Sequence, residues 1–307
     1  MIKFILLIVG LALSLFQNFV LEIDVKLQFI IFVVGILILG VPHGAADLLV
    51  ANSSATNNAK DFSKIKFLAK YLSRLFLFGF TLYFFPLIGN ILFLLFAAYH
   101  FGETDLHQFK TDTLLGKFFV LTYGLMILSI ILLQHFEEVM PVYQLFEAGK
   151  AHSTLILWVD ANRYLLISII GVLFFTTTFL YFLRNKDFHQ NEKGYFLIRL
   201  ACILVILFNL PMLLGFTFYF VVWHSILSLK NIVGYLNTNR EISNTTIQKE
   251  IILYSALAIV GIAVFGLMGF MFISTDAIAA YLFLSLAVLT APHMQVMYEM
   301  YHVLRNK

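Results

Sequence analysis

Apolar runs long enough to cross a lipid bilayer recur along nearly the whole chain, and no other feature limits its fold as strongly. A membrane-spanning helix needs roughly 20 predominantly apolar residues, because the bilayer interior offers no water to exposed backbone groups. Windows of this kind occupy residues 4–21, 27–50, 67–86, 89–109, 115–134, 164–183, 196–211, 214–231, 250–272 and 277–303. We therefore predict an all-α fold, a polytopic integral membrane helical bundle of about ten transmembrane helices.

The composition excludes several other classes of protein. Hydrophobic residues make up 61% of the 307 residues and charged residues only 12%, against about 25% charged in an ordinary globular domain. A net charge of +3, with basic residues dispersed along the chain, gives no reason to expect a nucleic-acid partner. No low-complexity segment or linker divides the sequence, so we predict one transmembrane domain over residues 1–307.

Two pairs of predicted spans lie close together in the chain, and the span count depends on the breaks between them. The segments Pro86–Asn90 and Leu210–Pro211 each interrupt an apolar run that is too long for one helix. Proline and glycine are the usual residues at such interruptions. If either break were absent, the number of spans would fall to eight or nine.

The distribution of basic residues tests the ten-span topology independently. With a cytoplasmic N-terminus, ten spans leave only Lys26, Lys150 and Arg163 of the twenty lysines and arginines on the outer side. The positive-inside rule describes this asymmetry. It predicts a multi-pass protein of the cell (inner) membrane with both termini cytoplasmic. The longest external segment, residues 135–163, is expected to carry a short surface helix.

Four histidines lie in the central or inner parts of the predicted spans, away from the helix ends, where ionisable side chains are costly and usually functional. They are His43, His100, His224 and His293, in the second, fourth, eighth and tenth spans. Even-numbered spans all run from outside to inside, so these side chains are expected to meet at one depth. One buried histidine is most often a hydrogen-bonded core residue. Four at matched depth favour a metal site, since neutral imidazole binds iron, zinc and copper well.

Carboxylates accompany two of these histidines. Asp47 follows His43 by four residues, on the same helix face, and Glu103 follows His100 by three. Both are predicted to hydrogen bond to the outer ring nitrogen of a metal-bound histidine, a contact that fixes the tautomer of the ligand. Asp105, nearer the helix end, is expected to face interfacial water instead.

Proline and aromatic residues surround the same positions. Pro42 and Pro292 each precede one of the histidines, and a proline inside a helix is expected to kink it there. Aromatic side chains flank the histidines and are predicted to line a cavity for an elongated apolar substrate, although side chains at this spacing also pack simply against their neighbours. These aromatic residues are Tyr99, Tyr219, Trp223 and Tyr298.

In combination, these motifs identify a family resemblance that extends along nearly the whole chain. The motifs are Pro42–Asp47, Tyr99–Asp105, Trp223-His224-Ser225 and Pro292-His293. The chain resembles the Brp/Blh family of bacteriorhodopsin-related membrane β-carotene 15,15'-dioxygenases. The resemblance implies an iron(II) enzyme that adds dioxygen across the central double bond of β-carotene or a related carotenoid. It further implies two retinal molecules as products, and with them a functional link to a microbial rhodopsin.

The resemblance also implies a set of metal ligands, with one departure. His43, His100 and His224 match histidines that the family uses as proposed iron ligands. In the family a further histidine follows the third of these by four residues, whereas this chain has Ser228 there. Serine is a poor iron ligand. We therefore predict His293 as the fourth ligand, with a three-histidine site as the alternative.

Three other functions are compatible with an apolar chain that contains buried histidines. A transporter would use intramembrane histidine and aspartate as an ion or proton pathway, and an inverted repeat would favour it. A non-catalytic carotenoid- or retinal-binding protein of the rhodopsin type would need a lysine deep in a span. A di-iron lipid desaturase would need several His-x-x-His-His clusters. The sequence shows none of these three features.

Overall fold

In the computed structural model, every element of the described chain is helical. The structure describes residues 1–57, 61–144, 153–185, 190–240, 243–270 and 278–305. The α-helices are α1 (Ile2–Phe19), α2 (Val25–Gly35), α3 (Val41–Ala45), α4 (Asp47–Asn57), α5 (Lys64–Phe84), α6 (Pro86–Leu106), α7 (Leu114–Ser129), α8 (Phe136–Gln144), α9 (Ser153–Arg184), α10 (Gln190–Asn209), α11 (Met212–Phe216), α12 (Ser225–Arg240), α13 (Asn244–Phe270) and α14 (Ile278–Arg305). Three π-helical segments join some of them: π1 (Ile36–Gly40), π2 (Ile130–Gln134) and π3 (Thr217–His224).

The helices agree with the windows predicted from the sequence. Each of the ten windows coincides with one helix or one continuous helical run. Among the described residues, eight of these runs are long and apolar enough to cross a membrane. The helices α10 and α14, which match the other two windows, are not among these eight, so ten spans stay a prediction. The prediction of an all-α polytopic bundle is confirmed, and the apolar runs make the chain a membrane protein.

Both predicted breaks between adjacent spans are present. Pro86 is in the first turn of α6, and Pro211 is the N-cap of α11. At these positions the missing proline N–H costs nothing, because the first amides of a helix have no partner within it. The short helix expected in residues 135–163 is α8. The segment itself is shorter than predicted, because α9 already begins at Ser153, and residues 145–152 lie outside the described chain.

The two intramembrane prolines affect their helices differently. The second span is divided into α2, π1, α3 and α4, with Pro42 in the first turn of α3 directly after π1. The hydrogen bonds of a π-helical turn join residues five apart rather than four, so the turn contains one residue more than an α-helical turn. In contrast, α14 continues through Pro292 from Ile278 to Arg305.

Close packing between α6 and α7 fixes the helix that carries His100. Gly102 and Gly124 sit where the two backbones meet: an added Cβ would lie 2.0 Å from the Val120 carbonyl oxygen and 1.8 Å from the Ala98 carbonyl oxygen, respectively. Small residues permit such approaches between membrane helices. Elsewhere in the bundle, a cluster of buried apolar side chains joins α4, α12, α13 and α14. These contacts bring the four predicted histidine positions toward one another.

Candidate metal centre

The four intramembrane histidines form a closed ring of imidazoles, called here the histidine cluster (His43, His100, His224 and His293). Neighbouring ring centroids are 5.4 Å apart for His43 and His224, and 4.7 Å for His224 and His100. They are 4.9 Å apart for His100 and His293, and 5.0 Å for His293 and His43. All four side chains are buried, with exposed fractions between 1% and 7%. The structure therefore brings together histidines from four separate helical runs.

Local helix irregularities position two of these side chains. His43 lies in α3, a short helix that follows π1, and His224 is the last residue of π3. The wider turn of a π-helix changes the direction of the side chains that follow it, and such turns are frequent at functional sites. His100 and His293 lie on longer α-helices, α6 and α14.

Each member of the histidine cluster has at least one buried ring nitrogen without a hydrogen-bond partner. These atoms are Nδ1 of His43, both nitrogens of His100, Nε2 of His224 and Nε2 of His293. Leaving a buried polar group unsatisfied costs about 1–3 kcal/mol, so several such atoms in one place need an explanation. A metal ion that accepts their lone pairs would supply one.

The spacing of the nitrogens fits a transition metal. One ring nitrogen from each of His43, His100 and His224 lies within 4.8 Å of the other two. Two nitrogens bound at about 2.0–2.1 Å on opposite sides of a metal are roughly 4 Å apart. Only small side-chain movements would therefore bring all three onto one ion, and the donor set fits a metal.

His293 is held by a carboxylate from another helix. Its Nδ1 is 2.7 Å from Oδ1 of Asp47, a residue that is 3% exposed. A carboxylate accepts and does not donate, so Nδ1 is the donor in this contact, and Nε2 is the ring nitrogen left without a partner. The other oxygen, Oδ2, accepts a hydrogen bond of 3.0 Å from the Tyr71 hydroxyl on α5. The structure thus places Asp47 on a histidine ring, but on His293 rather than on the histidine of its own run.

Glu103 does not contact a histidine. Its Oε1 accepts a hydrogen bond of 3.1 Å from Nη1 of Arg305, and both side chains are buried. Its position, three residues beyond His100 on α6, brings it to the last turn of α14. The predicted contact between Glu103 and a ligand ring is therefore absent from the described structure.

The expectation that Asp105 faces water is wrong. Asp105 is 1% exposed and accepts hydrogen bonds from the Tyr123 hydroxyl at 2.6 Å, the Tyr219 hydroxyl at 3.1 Å and the Trp223 indole at 2.8 Å. Tyr219 and Trp223 are themselves completely buried. Their polar groups are engaged by Asp105, so the structure does not place these two residues at an open cavity.

The other two predicted cavity residues lie together. Tyr99 and Tyr298 are half-buried, with ring centroids 6.3 Å apart. Tyr99 adjoins His100 on α6. Their contact with a substrate remains a prediction.

A set of phenylalanines that the sequence did not single out extends from the histidine cluster, and we call it the phenylalanine ladder (Phe220, Phe216, Phe283 and Phe32). The Phe220 ring is stacked with His224 at 6.0 Å, and Phe216 is stacked on Phe220 at 5.3 Å. Phe283 lies 5.4 Å from Phe216 and 5.1 Å from Phe32. With 34 phenylalanines in the chain, no sequence signal marks these four.

The fold and the cluster together define a polytopic helical membrane protein with a buried histidine site suited to a transition metal. Comparison with protein families then identifies the family. Residues 34–301 match the family described as beta-carotene 15,15'-dioxygenase, a range that includes the whole histidine cluster. The chain belongs to this family, and it is an enzyme. Membership supports β-carotene 15,15'-dioxygenase activity, with a carotenoid and dioxygen as substrates. No significant match was found among curated proteins or among solved structures.

Proposed function

We propose that this enzyme uses iron(II), bound by the histidine cluster, to cleave β-carotene or a related carotenoid at its central double bond into two retinal molecules. The observation that carries the proposal is the ring of four buried histidines, each with an unpartnered nitrogen, in a chain of this family. When bound, iron(II) would supply the activation of dioxygen. Both oxygen atoms enter the products as the C=C bond becomes two C=O bonds, so no proton donor or acceptor is required.

In this proposal His43, His100 and His224 are three ligands, and His293 is the fourth. The place of His293 in the ring of imidazoles and its contact with Asp47 favour it over Ser228. Ser228 is completely buried, but its hydroxyl oxygen is a weaker ligand for iron than imidazole. Neutral ligands keep the charge of the site low in an apolar setting.

The phenylalanine ladder is the proposed contact surface for the polyene. Phe216, Phe220 and Phe283 are half-buried, and Phe220 adjoins both His224 and His43. A Cβ added to Gly44, the residue after His43, would have no atom within 4 Å, which indicates open space at this turn of the helix. A carotenoid dissolved in the bilayer would enter between helices, and the apolar surroundings would exclude water from the reacting double bond.

The membrane setting completes the proposal. The lipid bilayer serves as the reservoir of substrate, and the protein lies in the cell (inner) membrane with both termini cytoplasmic, as the distribution of basic residues favours. Retinal made there would be available to a microbial rhodopsin in the same membrane.

Expression in carotene-producing cells, followed by pigment extraction and chromatography, tests the reaction. We expect loss of carotene and appearance of retinal. Unchanged carotene in cells that contain folded, iron-loaded protein would overturn the proposal.

Two variants test the fourth ligand. His293→Ala is expected to abolish retinal formation and reduce the bound iron measured by elemental analysis, whereas Ser228→Ala should retain both. His302→Ala is the matched control, because His302 is an exposed histidine on the same helix. Full activity of His293→Ala would leave a three-histidine site.

A further inference from the structure

Two basic side chains are buried at one end of the bundle without a hydrogen-bond partner among the described residues. Arg199, on α10, is 1% exposed, and none of its three guanidinium nitrogens is hydrogen bonded. Its guanidinium lies over the rings of Tyr195 and Phe196, 5.9 Å from each centroid, and these contacts do not supply a counter-charge. The Lys3 ammonium, on α1, is also buried and unpartnered. Burial of an unpaired charge is costly. Two such cations in one region indicate that an anion completes this part of the molecule.

Lys3 lies close enough to Arg199, Lys230 and His107 for their charges to interact. We call these four residues the basic pocket (Lys3, His107, Arg199 and Lys230). The charge of Lys3 interacts with those of Arg199 and Lys230, and His107 is close to both Lys3 and Arg199. Asp105 is the acidic group nearby, and its oxygens are engaged by the three neutral donors described above. Three cations against one carboxylate leave an excess of positive charge.

An open space adjoins two members of this group. A cavity of about 460 Å³ is lined by His107 and Lys230, together with Lys110 and Asn231, whereas Arg199 and Lys3 do not themselves line it. Lys230 and Lys110 are exposed at its mouth. The space suits a compact anion such as a phosphate group, which accepts several charge-assisted hydrogen bonds from lysine and arginine.

Neighbouring surfaces favour a lipid over a free ion. The helices α1 and α10 pack against each other, and beyond the cations each presents exposed apolar side chains. Phe4 and Ile5 follow Lys3 at 61% and 49% exposure, and Ile198 precedes Arg199 at 66% exposure. Acyl chains attached to a phosphate in the pocket would lie against these surfaces. All the cations are at the end that the positive-inside rule assigns to the cytoplasm, where the membrane is rich in anionic lipid.

We propose that the basic pocket binds the headgroup phosphate of an anionic phospholipid, with Lys230 at its mouth and the buried positive charges of Arg199 and Lys3 attracting the phosphate. The site is separate from the histidine cluster and does not depend on the proposed reaction. Bound lipid would neutralise the buried cations and fasten α1 to α10.

Thermal unfolding of the purified full-length protein in a neutral detergent tests this. Phosphatidylglycerol, phosphatidylcholine and inorganic phosphate are added separately. We expect phosphatidylglycerol to raise the unfolding midpoint, and the other two to have little effect. Arg199→Met should weaken the response to phosphatidylglycerol about tenfold in concentration, because one of the positive charges that attract the phosphate is lost. Lys3→Met should do the same, and Lys117→Met, which removes an exposed lysine, should not.

The remaining outcomes also decide the question. Because Arg199→Met removes a buried charge that has no hydrogen-bond partner, the lipid-free variant should be at least as stable as the wild type. A variant that is less stable but keeps its lipid response would make Arg199 a structural residue and overturn the proposal. Protection by inorganic phosphate equal to that by phosphatidylglycerol would mean a soluble anion site. No response to any addition would exclude an anion site.

Discussion

The imidazole of His293 is oriented by residues from two other helices. Asp47 fixes the proton on Nδ1, and Tyr71 holds the second oxygen of Asp47. This chain of contacts leaves Nε2 directed away from the carboxylate and available to a metal. Such outer partners make a histidine ligand more basic and restrict its rotation.

Replacement of Asp47 by asparagine tests that role. Asp47→Asn preserves the size of the side chain but removes the charge that stabilises the Nδ1 proton, so we expect iron affinity to fall about 10–100-fold. Tyr71→Phe should lower it less. The measurement is a titration of iron(II) against a competing chelator, with Asp160→Asn as a control remote from the cluster. Unchanged affinity in Asp47→Asn would show that the contact does not support metal binding.

Some of this site could be predicted from the sequence, and the rest depends on contacts between distant helices. The histidines stand out because ionisable groups are rare in membrane spans. Tyr71 carries no comparable signal, since its contact with Asp47 joins two separate helices. The prediction for Asp105 was wrong because its hydrogen-bond partners lie on other helical segments. These partners are Tyr123, Tyr219 and Trp223. A position near a helix end does not reveal such partners.

At the scale of helices, irregular turns were only partly predictable. Pro42 indicated a break in the second span, and π1 with α3 provides it. No proline or glycine occurs within π3 (Thr217–His224). That segment becomes π-helical in the packed bundle, and a one-dimensional pattern gives no sign of it.

The contact between α6 and α7 makes a second prediction. In Gly124→Ala, the new Cβ would lie 1.8 Å from the Ala98 carbonyl oxygen, a backbone atom that cannot move without α6. We expect a loss of about 1–3 kcal/mol in stability, the usual cost of overpacking, and weaker iron binding because α6 carries His100. Chemical denaturation and iron titration measure the two effects.

Gly171→Ala is the matched control. Gly171 is also inside a helix, α9, but an added Cβ there would have no atom within 4 Å. Alanine is the better helix former, so this variant should be as stable as the wild type or slightly more so. Equal behaviour of the two variants would contradict the role assigned to the α6 and α7 contact.

The overall architecture of the molecule was predicted from the sequence better than its helices or its individual side chains. A bilayer requires each backbone group to be satisfied within the protein, so long apolar windows can only be helices. Alternation of direction then places the second, fourth, eighth and tenth spans parallel, which is why their histidines were expected to meet. The sequence did not reveal that Tyr219 and Trp223 pack around Asp105, because lateral helix arrangement depends on side-chain contacts in three dimensions.

The arrangement of the ligands also predicts how metal affects stability. The histidine cluster joins four helical runs that are distant in sequence, so one ion would link most of the bundle. A ligand that binds only the folded state stabilises it by about 2.7 kcal/mol at a free concentration of 100 times Kd. We therefore expect chelation to lower the unfolding midpoint, and anaerobic addition of iron(II) to restore it.

His100 offers the sharpest test of this linkage. Both of its ring nitrogens are buried and unpartnered, so it has no other polar contact to lose. In His100→Ala, chelator and iron(II) should no longer change the midpoint, whereas in His302→Ala the full difference should persist. A wild-type midpoint that is the same with and without bound iron, as verified by elemental analysis, would mean that the cluster does not link the helices through a metal. Because this measurement needs no carotenoid, it separates metal binding from the cleavage reaction.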